Sequence, residues 1–164
     1  MIPQTLVFIL FSAITLGAGL AVVISKNILH SAFYLILSFV GVAGLYVLLE
    51  APFLAVVQIL VYVGAIAVLI VFAIMLTRRL MSKDLMQQNA QWVWAGLGTL
   101  GLFAALAFIM VEVDWPTAAA SAPEDQVNLL GEALVGRFLV PFEVASILLL
   151  IALVGAIIIA REEE

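Results

Sequence analysis

Cysteine is absent from this sequence, histidine occurs once, at His30, and charged residues make up only 10% of it. Each scarcity closes a class of function. Without cysteine the chain carries no disulfide, no iron–sulfur cluster and no thiolate metal site. One histidine excludes a haem held by two. Lysine and arginine together number six and lie scattered, so no basic patch is offered to nucleic acid. No Asp, Glu, Lys, Arg or His stands near the middle of any long apolar run. Proton pumps and antiporters use such groups as relays, so this chain alone is a poor pump. Neither a nucleophile–base pair nor a phosphate-binding glycine loop nor a metal-ligand cluster can be assembled from it. The chain is therefore expected to hold no cofactor and no catalytic residue of its own.

What is present is apolar. Hydrophobic residues make up 66% of the 164, and the mean hydropathy is +1.32. A soluble domain of this size needs far more polar surface, which makes the chain an integral membrane protein in contact with a lipid bilayer. The net charge of −5 says little about partners, because the acids gather in one loop and at the tail. The first apolar run, Ile2 to Ile24, is too long for the core of a signal peptide. It also lacks a basic leader and an A-x-A site, and reads as a retained first span.

Five runs have the length a bilayer requires: about 3–25, 28–49, 51–76, 91–113 and 139–160. They are expected to form a single all-α membrane domain of five transmembrane helices. Residues 114–138, rich in Ala, Pro and acids, form a surface loop expected to be partly irregular. Lys26, Arg78, Arg79, Lys83 and Arg161 fall on one side of this topology and only Arg137 on the other. The positive-inside rule then puts the N-terminus outside, the C-terminus in the cytoplasm and the 114–138 loop outside. A multi-pass protein of a bacterial plasma membrane is the expected setting. Trp92 and Trp94 enter span four at the inner surface and Trp115 leaves it at the outer one, as belt anchors.

Glycines punctuate the spans: Gly17 and Gly19 in the first, Gly41 and Gly44 in the second, Gly96, Gly98 and Gly101 in the fourth. They signal close helix packing and name no partner. Spans two and three are joined only by Glu50 and Ala51 before Pro52, which makes them antiparallel neighbours. Glu50 and Glu112 at outer span ends read as solvated interfacial acids. His30 reads as a polar cap.

The third run, APFLAVVQILVYVGAIAVLIVFAIML, organises the rest. As a helix it is roughly 39 Å long, enough to cross a bilayer with some tilt. It holds no charge, yet it places Gln58, Tyr62 and Gly64 near its centre. Gln58 and Tyr62 are spaced i, i+4 on one helix face. Hydrogen bonding to neighbouring helices is one reading of that pair. The other is that this face borders a hydrated path and that the helix is deformable there. Gly64, with Ala65 and Ala67 after it, removes bulk where a π-bulge or kink could free backbone carbonyls. Glu143, just after Pro141 at the start of span five, reads either as a helix-dipole cap or as a polar contact to another subunit.

Three stretches resemble one family: NILHSAFYLILSFVGVAGLYVLL in span two, FLAVVQILVYVGAIAVLIVFAIML in span three and PFEVASILLLIALVGAIIIAR in span five. The family is subunit J of the respiratory complex I type NADH–quinone oxidoreductases, called subunit 6 in mitochondria. The likeness covers nearly the whole chain apart from loop 114–137. It implies a place in the membrane arm, between quinone-site and antiporter-like subunits, in a complex that carries NAD, FMN, iron–sulfur clusters and quinone elsewhere. In that family the third helix carries a π-bulge around the position matching Tyr62. It is thought to convert between bulged and regular forms as a water path opens toward the proton channels. Carried over, coupling or gating falls on Gln58, Val61, Tyr62, Val63 and Gly64. Some members have Glu where this chain has Gln58, a position that cannot ionise here. Gln58, the PFE motif and the GAI-x-x-AR pattern also resemble photosynthetic ferredoxin-driven complexes. A membrane hydrogenase, a cation/proton antiporter and a passive assembly scaffold stand as alternative readings.

Overall fold

Every element among the described residues is a helix, and short connections fix the first three spans as successive neighbours. The computed structural model describes residues 2–77, 91–114, 123 and 125–161. In order these form α1 (Ile2–Ile24), α2 (Ile28–Leu48), α3 (Pro52–Val57), a π-helical segment (Gln58–Ala67), α4 (Val68–Leu76), α5 (Trp92–Glu112), α6 (Gln126–Val135) and α7 (Leu139–Ala160). α3, the π segment and α4 run on as one span, and no strand occurs among the described residues. Five helices are long and apolar enough to cross a membrane, as the sequence leads one to expect. Arg78, Arg79, Lys83, Trp115 and the tail 162–164, all used in the sequence argument, lie outside the described residues. The chain divides into two compact units, residues 1–120 and 121–164.

In the first unit α1 and α2 form a tight antiparallel pair. Lipid tails are as apolar as leucine, so helices associate in them by close packing and hydrogen bonds rather than by hydrophobic expulsion. Both occur here. A Cβ placed on Gly41 would stand 3.0 Å from the Thr15 amide nitrogen and 3.2 Å from its Cα, and one on Gly44 would strike the ring of Phe11. The Ser38 hydroxyl donates to the Thr15 carbonyl at 3.1 Å, across the two helices. Thr15 in turn donates to the Phe11 carbonyl at 2.8 Å. The glycines differ in what they do. Gly41 and Gly44 mark close approaches and a Cβ on Gly19 would lie 3.7 Å from Ser38 Oγ, whereas one on Gly17, Gly96, Gly98 or Gly101 would meet no atom within 4 Å.

Side chains and backbone close the turns. Asn27 precedes α2 in extended conformation, and its Oδ1 accepts from the amides of Leu29 at 3.0 Å and His30 at 3.4 Å, satisfying two of the helix's orphan donors. Between α2 and α3 the amide of Ala51 donates to the Tyr46 carbonyl and that of Glu50 to Val47, the paired bonds of a Schellman motif. Such a motif needs a left-handed residue, normally glycine. Here it is Glu50, with φ of 55°. An L-residue in that region costs roughly 1–2 kcal/mol. Glu50→Gly is therefore expected to stabilise the α2–α3 turn by about 1 kcal/mol, allowing for glycine's greater freedom when unfolded. Slower hydrogen exchange at the amides of residues 50 and 51 would show it. Pro52 then opens α3 at a position where its missing N–H is no loss.

α5 buries none of its residues, and its Trp92 and Trp94 are largely exposed, as belt residues are. In the second unit the stretch expected as partly irregular loop contains α6. It packs on α7, and its partly buried residues Gln126, Leu130, Ala133 and Leu134 recur at helical spacing. Asn128 donates to Asp125 at 2.7 Å at its start. The Phe138 amide bonds the Ala133 carbonyl at 2.8 Å, and the Arg137 guanidinium stands 5.7 Å over the Phe138 ring.

Candidate functional site

Gln58, Val61, Tyr62, Val63 and Gly64 all fall within the π-helical segment Gln58–Ala67. At ten residues it is far longer than the single-turn bulges in which i→i+5 bonding mostly occurs. A physical reason for the wide helix lies in which side chains face inward. Along the third span the buried residues are Ala55, Gln58, Ala67 and Ile74. Gln58 and Ala67 are nine positions apart. Nine α-helical steps of about 100° make two and a half turns and would put them on opposite faces. Nine π-helical steps, at about 4.4 residues per turn, make close to two full turns and keep them on one face. Only the wide register lets both ends of this span bury their small or polar face on the same side. There the span meets α2.

Within the segment the residues separate. Gln58 is only 6% exposed and Ala67 1%, while Tyr62 is 43% exposed, Val61 and Gly64 are exposed and Val63 is half-buried. The Gln58 side-chain carboxamide forms no hydrogen bond with another side chain or backbone group among the described residues, while its backbone N–H donates within the helix. No fully enclosed polar atom there lacks a partner, so the residue is enclosed while its amide tip stays open to a neighbour. Tyr62 sits with its ring edge-on to Phe39 of α2, the centroids 5.6 Å apart at 76°. A Cβ on Gly64 would lie 3.4 Å from the Ile59 carbonyl, five residues back and the partner a π-helix assigns to it. That is an ordinary van der Waals distance, so room for the carbonyl does not by itself require glycine.

Glu143 belongs to the other unit. It is the fifth residue of α7, exposed and past the first turn, where the helix dipole has faded. An apolar groove of about 500 Å³ runs between α1, α2 and the third span, its lining including Phe11, Ala43, Gly44, Ala55 and Ile59. It carries no group able to do chemistry. Among the described residues no cluster of His, Asp or Glu is arranged to hold a metal ion. Phe39 is a participant that sequence reasoning missed, and Ala67, singled out there only for its small size, proves to be buried like Gln58. The spacing of the small residues was the only available signal, and in an apolar span nothing distinguishes a buried alanine from one facing lipid.

Over residues 18–159 the sequence matches the family described as NADH-ubiquinone/plastoquinone oxidoreductase chain 6. It is 41% identical to NAD(P)H-quinone oxidoreductase chain 6 of Leptolyngbya boryana, an alignment covering 98% of this chain and 81% of that one. It is 42% identical to the chloroplastic subunit 6 of Staurastrum punctulatum, over 99% of this chain and 94% of the relative. It is also similar to F(420)H(2) dehydrogenase subunit J of Methanosarcina mazei, at 39% identity over 98% of this chain and 92% of that one.

Proposed function

The chain belongs to the NADH-ubiquinone/plastoquinone oxidoreductase chain 6 family, and on that premise we propose that its third span is a conformational gate in a proton-translocating quinone reductase. The chain is a multi-pass membrane subunit, and we place it in the membrane arm, in a bacterial plasma membrane, among quinone-site and antiporter-like subunits. NAD, FMN, iron–sulfur clusters and quinone supply the redox chemistry in other subunits of the complex. This chain contributes shape and hydration. Relatives named for NAD(P)H and for reduced F420 align along nearly its whole length, so the membrane part suits more than one donor module. The basic residues Lys26 and Arg161 face the cytoplasm in this reading, with the N-terminus outside.

One observation carries the proposal: a two-turn π-helix holding Gln58 and Ala67 on one face, with Tyr62 and Gly64 between them. A π segment pairs its backbone five residues apart, and where that register meets the four-residue register of the flanking α-helix a carbonyl is left for water. Regularising it would turn the two ends of the span against each other by close to half a turn, carrying either Gln58 or Ala67 away from α2. The carboxamide, now on the α2 side of the span with its tip open, would then turn to another side, which makes and breaks a route for water without any ionisable group on this chain. Charges that move protons belong to neighbouring subunits.

Gln58→Leu tests this. The change removes an unpaired carboxamide from a largely buried position in an apolar span while nearly conserving volume, so assembly and stability are expected to hold or rise slightly. Protons moved per quinone reduced, measured in sealed vesicles, are expected to fall several-fold. A scaffold role for the span predicts the reverse: weaker assembly with an unaltered ratio in whatever complex forms. Tyr62→Phe, which keeps the ring and loses only the hydroxyl, is expected to lower the ratio mildly.

A further inference from the structure

We propose that Phe39 of α2 is a positioning residue that holds the third span in its π-helical form through the ring of Tyr62. Two features of the fold meet at this contact. The first is the rigid backing of Phe39. Its neighbour Ser38 is bonded to the Thr15 carbonyl at 3.1 Å, and Gly41 lies against the Thr15 backbone, so α2 is fixed to α1 on both sides of the ring. Phe39 itself is half-buried and meets Tyr62 edge-on at 5.6 Å.

The second feature is that the contact depends on the helix form. Tyr62 follows the enclosed Gln58 by four residues. Four π-helical steps leave it about 30° short of a full set of turns, and four α-helical steps carry it about 40° beyond. With Gln58 held against α2, regularising the segment would swing the Tyr62 ring by about 70°. At a side-chain radius near 6 Å that is a displacement of about 7 Å. Edge-to-face pairs persist only to centroid separations of about 7 Å, so a pair that starts at 5.6 Å is lost. An interaction present in one form and absent in the other biases the equilibrium between them by its whole strength. For an aromatic pair that is about 2- to 12-fold in the equilibrium constant. The α1–α2 pair thus acts as a fixed wall, and Phe39 is the point on it that reads the register of the third span. The functional consequence rests on the gating reading above; the structural assignment does not.

Hydrogen exchange read by mass spectrometry on the purified complex in lipid nanodiscs tests the assignment. Each conversion out of the π form breaks the bonds from the segment's amides to acceptors five residues back before bonds four residues back replace them, and the amides exchange in that interval. Phe39→Leu is expected to speed exchange over residues 60–67 by about 2- to 12-fold. Phe39→Tyr, which keeps the ring, should leave it unchanged. Peptides reporting the α1–α2 seam around Thr15 and Gly41 should not respond to either. Tyr62→Leu should reproduce the acceleration, and the double variant should add nothing beyond either single one. If Phe39→Leu does not assemble, Phe39→Met keeps more of the volume without the ring and carries the same expectation. Unchanged exchange over 60–67, or equal acceleration in the α1–α2 seam, overturns the proposal, since the ring would then be ordinary packing. Protons moved per quinone reduced are measured on the same variants. Accelerated exchange with an unaltered ratio would uphold Phe39 as the positioning residue and remove the gate.

Discussion

Deleting Val63 is expected to yield a complex that assembles and reduces quinone but loses most of its proton translocation. The expectation follows from the angular bookkeeping of the third span. In an α-helix of the present length, Ala67 would stand about 120° from Ala55 and about 180° from Gln58, so one end of the span would expose its inward face. With one residue fewer between them, the α-helical separations fall to about 20° and 80°. Ile74, which is buried with Ala55, returns to the same face. A regular helix then buries both ends adequately, and the need for a π-helix is gone. The deletion therefore separates the packing role of the span from its deformability. The tightest intrachain packing, between α1 and α2 at Thr15, Ser38 and Gly41, is untouched. Native gels and quinone reduction would report assembly and electron transfer, and acidification of inverted vesicles would report translocation. A deletion variant that translocates normally would mean that the wide register matters only for packing.

The same arithmetic shows what the sequence could and could not disclose. The number of spans was legible because lipid solubility imposes length and apolarity on each, and five runs satisfy both. The antiparallel pairing of α2 with the third span was legible because two residues before Pro52 leave no other geometry. Gln58 stood out because a carboxamide is rare in the middle of an uncharged span, and the structure does enclose it. The ten-residue extent of the π-helix was not legible. Its cause is the common facing of Ala55, Gln58, Ala67 and Ile74, and three of those four are apolar residues in a helix that is apolar all round. Periodicity arguments need contrast between faces, and a membrane span offers little. The glycines carried the same ambiguity: Gly17 and Gly41 look alike in sequence, yet one meets nothing and the other meets a backbone. α6 went unnoticed for a different reason, since its short amphipathic stretch sits between a Pro-containing segment and a span and resembles loop composition.

Gly41 supplies the other large expected effect. Gly41→Leu should prevent stable incorporation of the chain, whereas Gly17→Leu should be accepted by the chain's own packing. At position 41 the first carbon added already stands 3.0 Å from the Thr15 amide nitrogen and 3.2 Å from its Cα. Backbone atoms of a hydrogen-bonded helix cannot turn aside as a flexible side chain can, so α1 must move outward as a body. Outward movement lengthens the 3.1 Å bond from Ser38 to the Thr15 carbonyl and strips contacts from Phe11 at Gly44. Overpacking of a close-packed interface costs about 1–3 kcal/mol, and a backbone collision belongs at the upper end. In lipid no hydrophobic term restores the association, because separated helices are solvated by acyl chains as well as by each other. Even Gly41→Ala should lower the temperature at which the complex dissociates, while Gly17→Ala should not. Mass spectrometry of the native complex would read incorporation, and heating followed by native electrophoresis would read the order of stability. Equal behaviour of the two alanine variants would mean that α1 and α2 are held by their neighbours in the complex rather than by each other. In that case Phe39 would have no fixed wall from which to hold Tyr62.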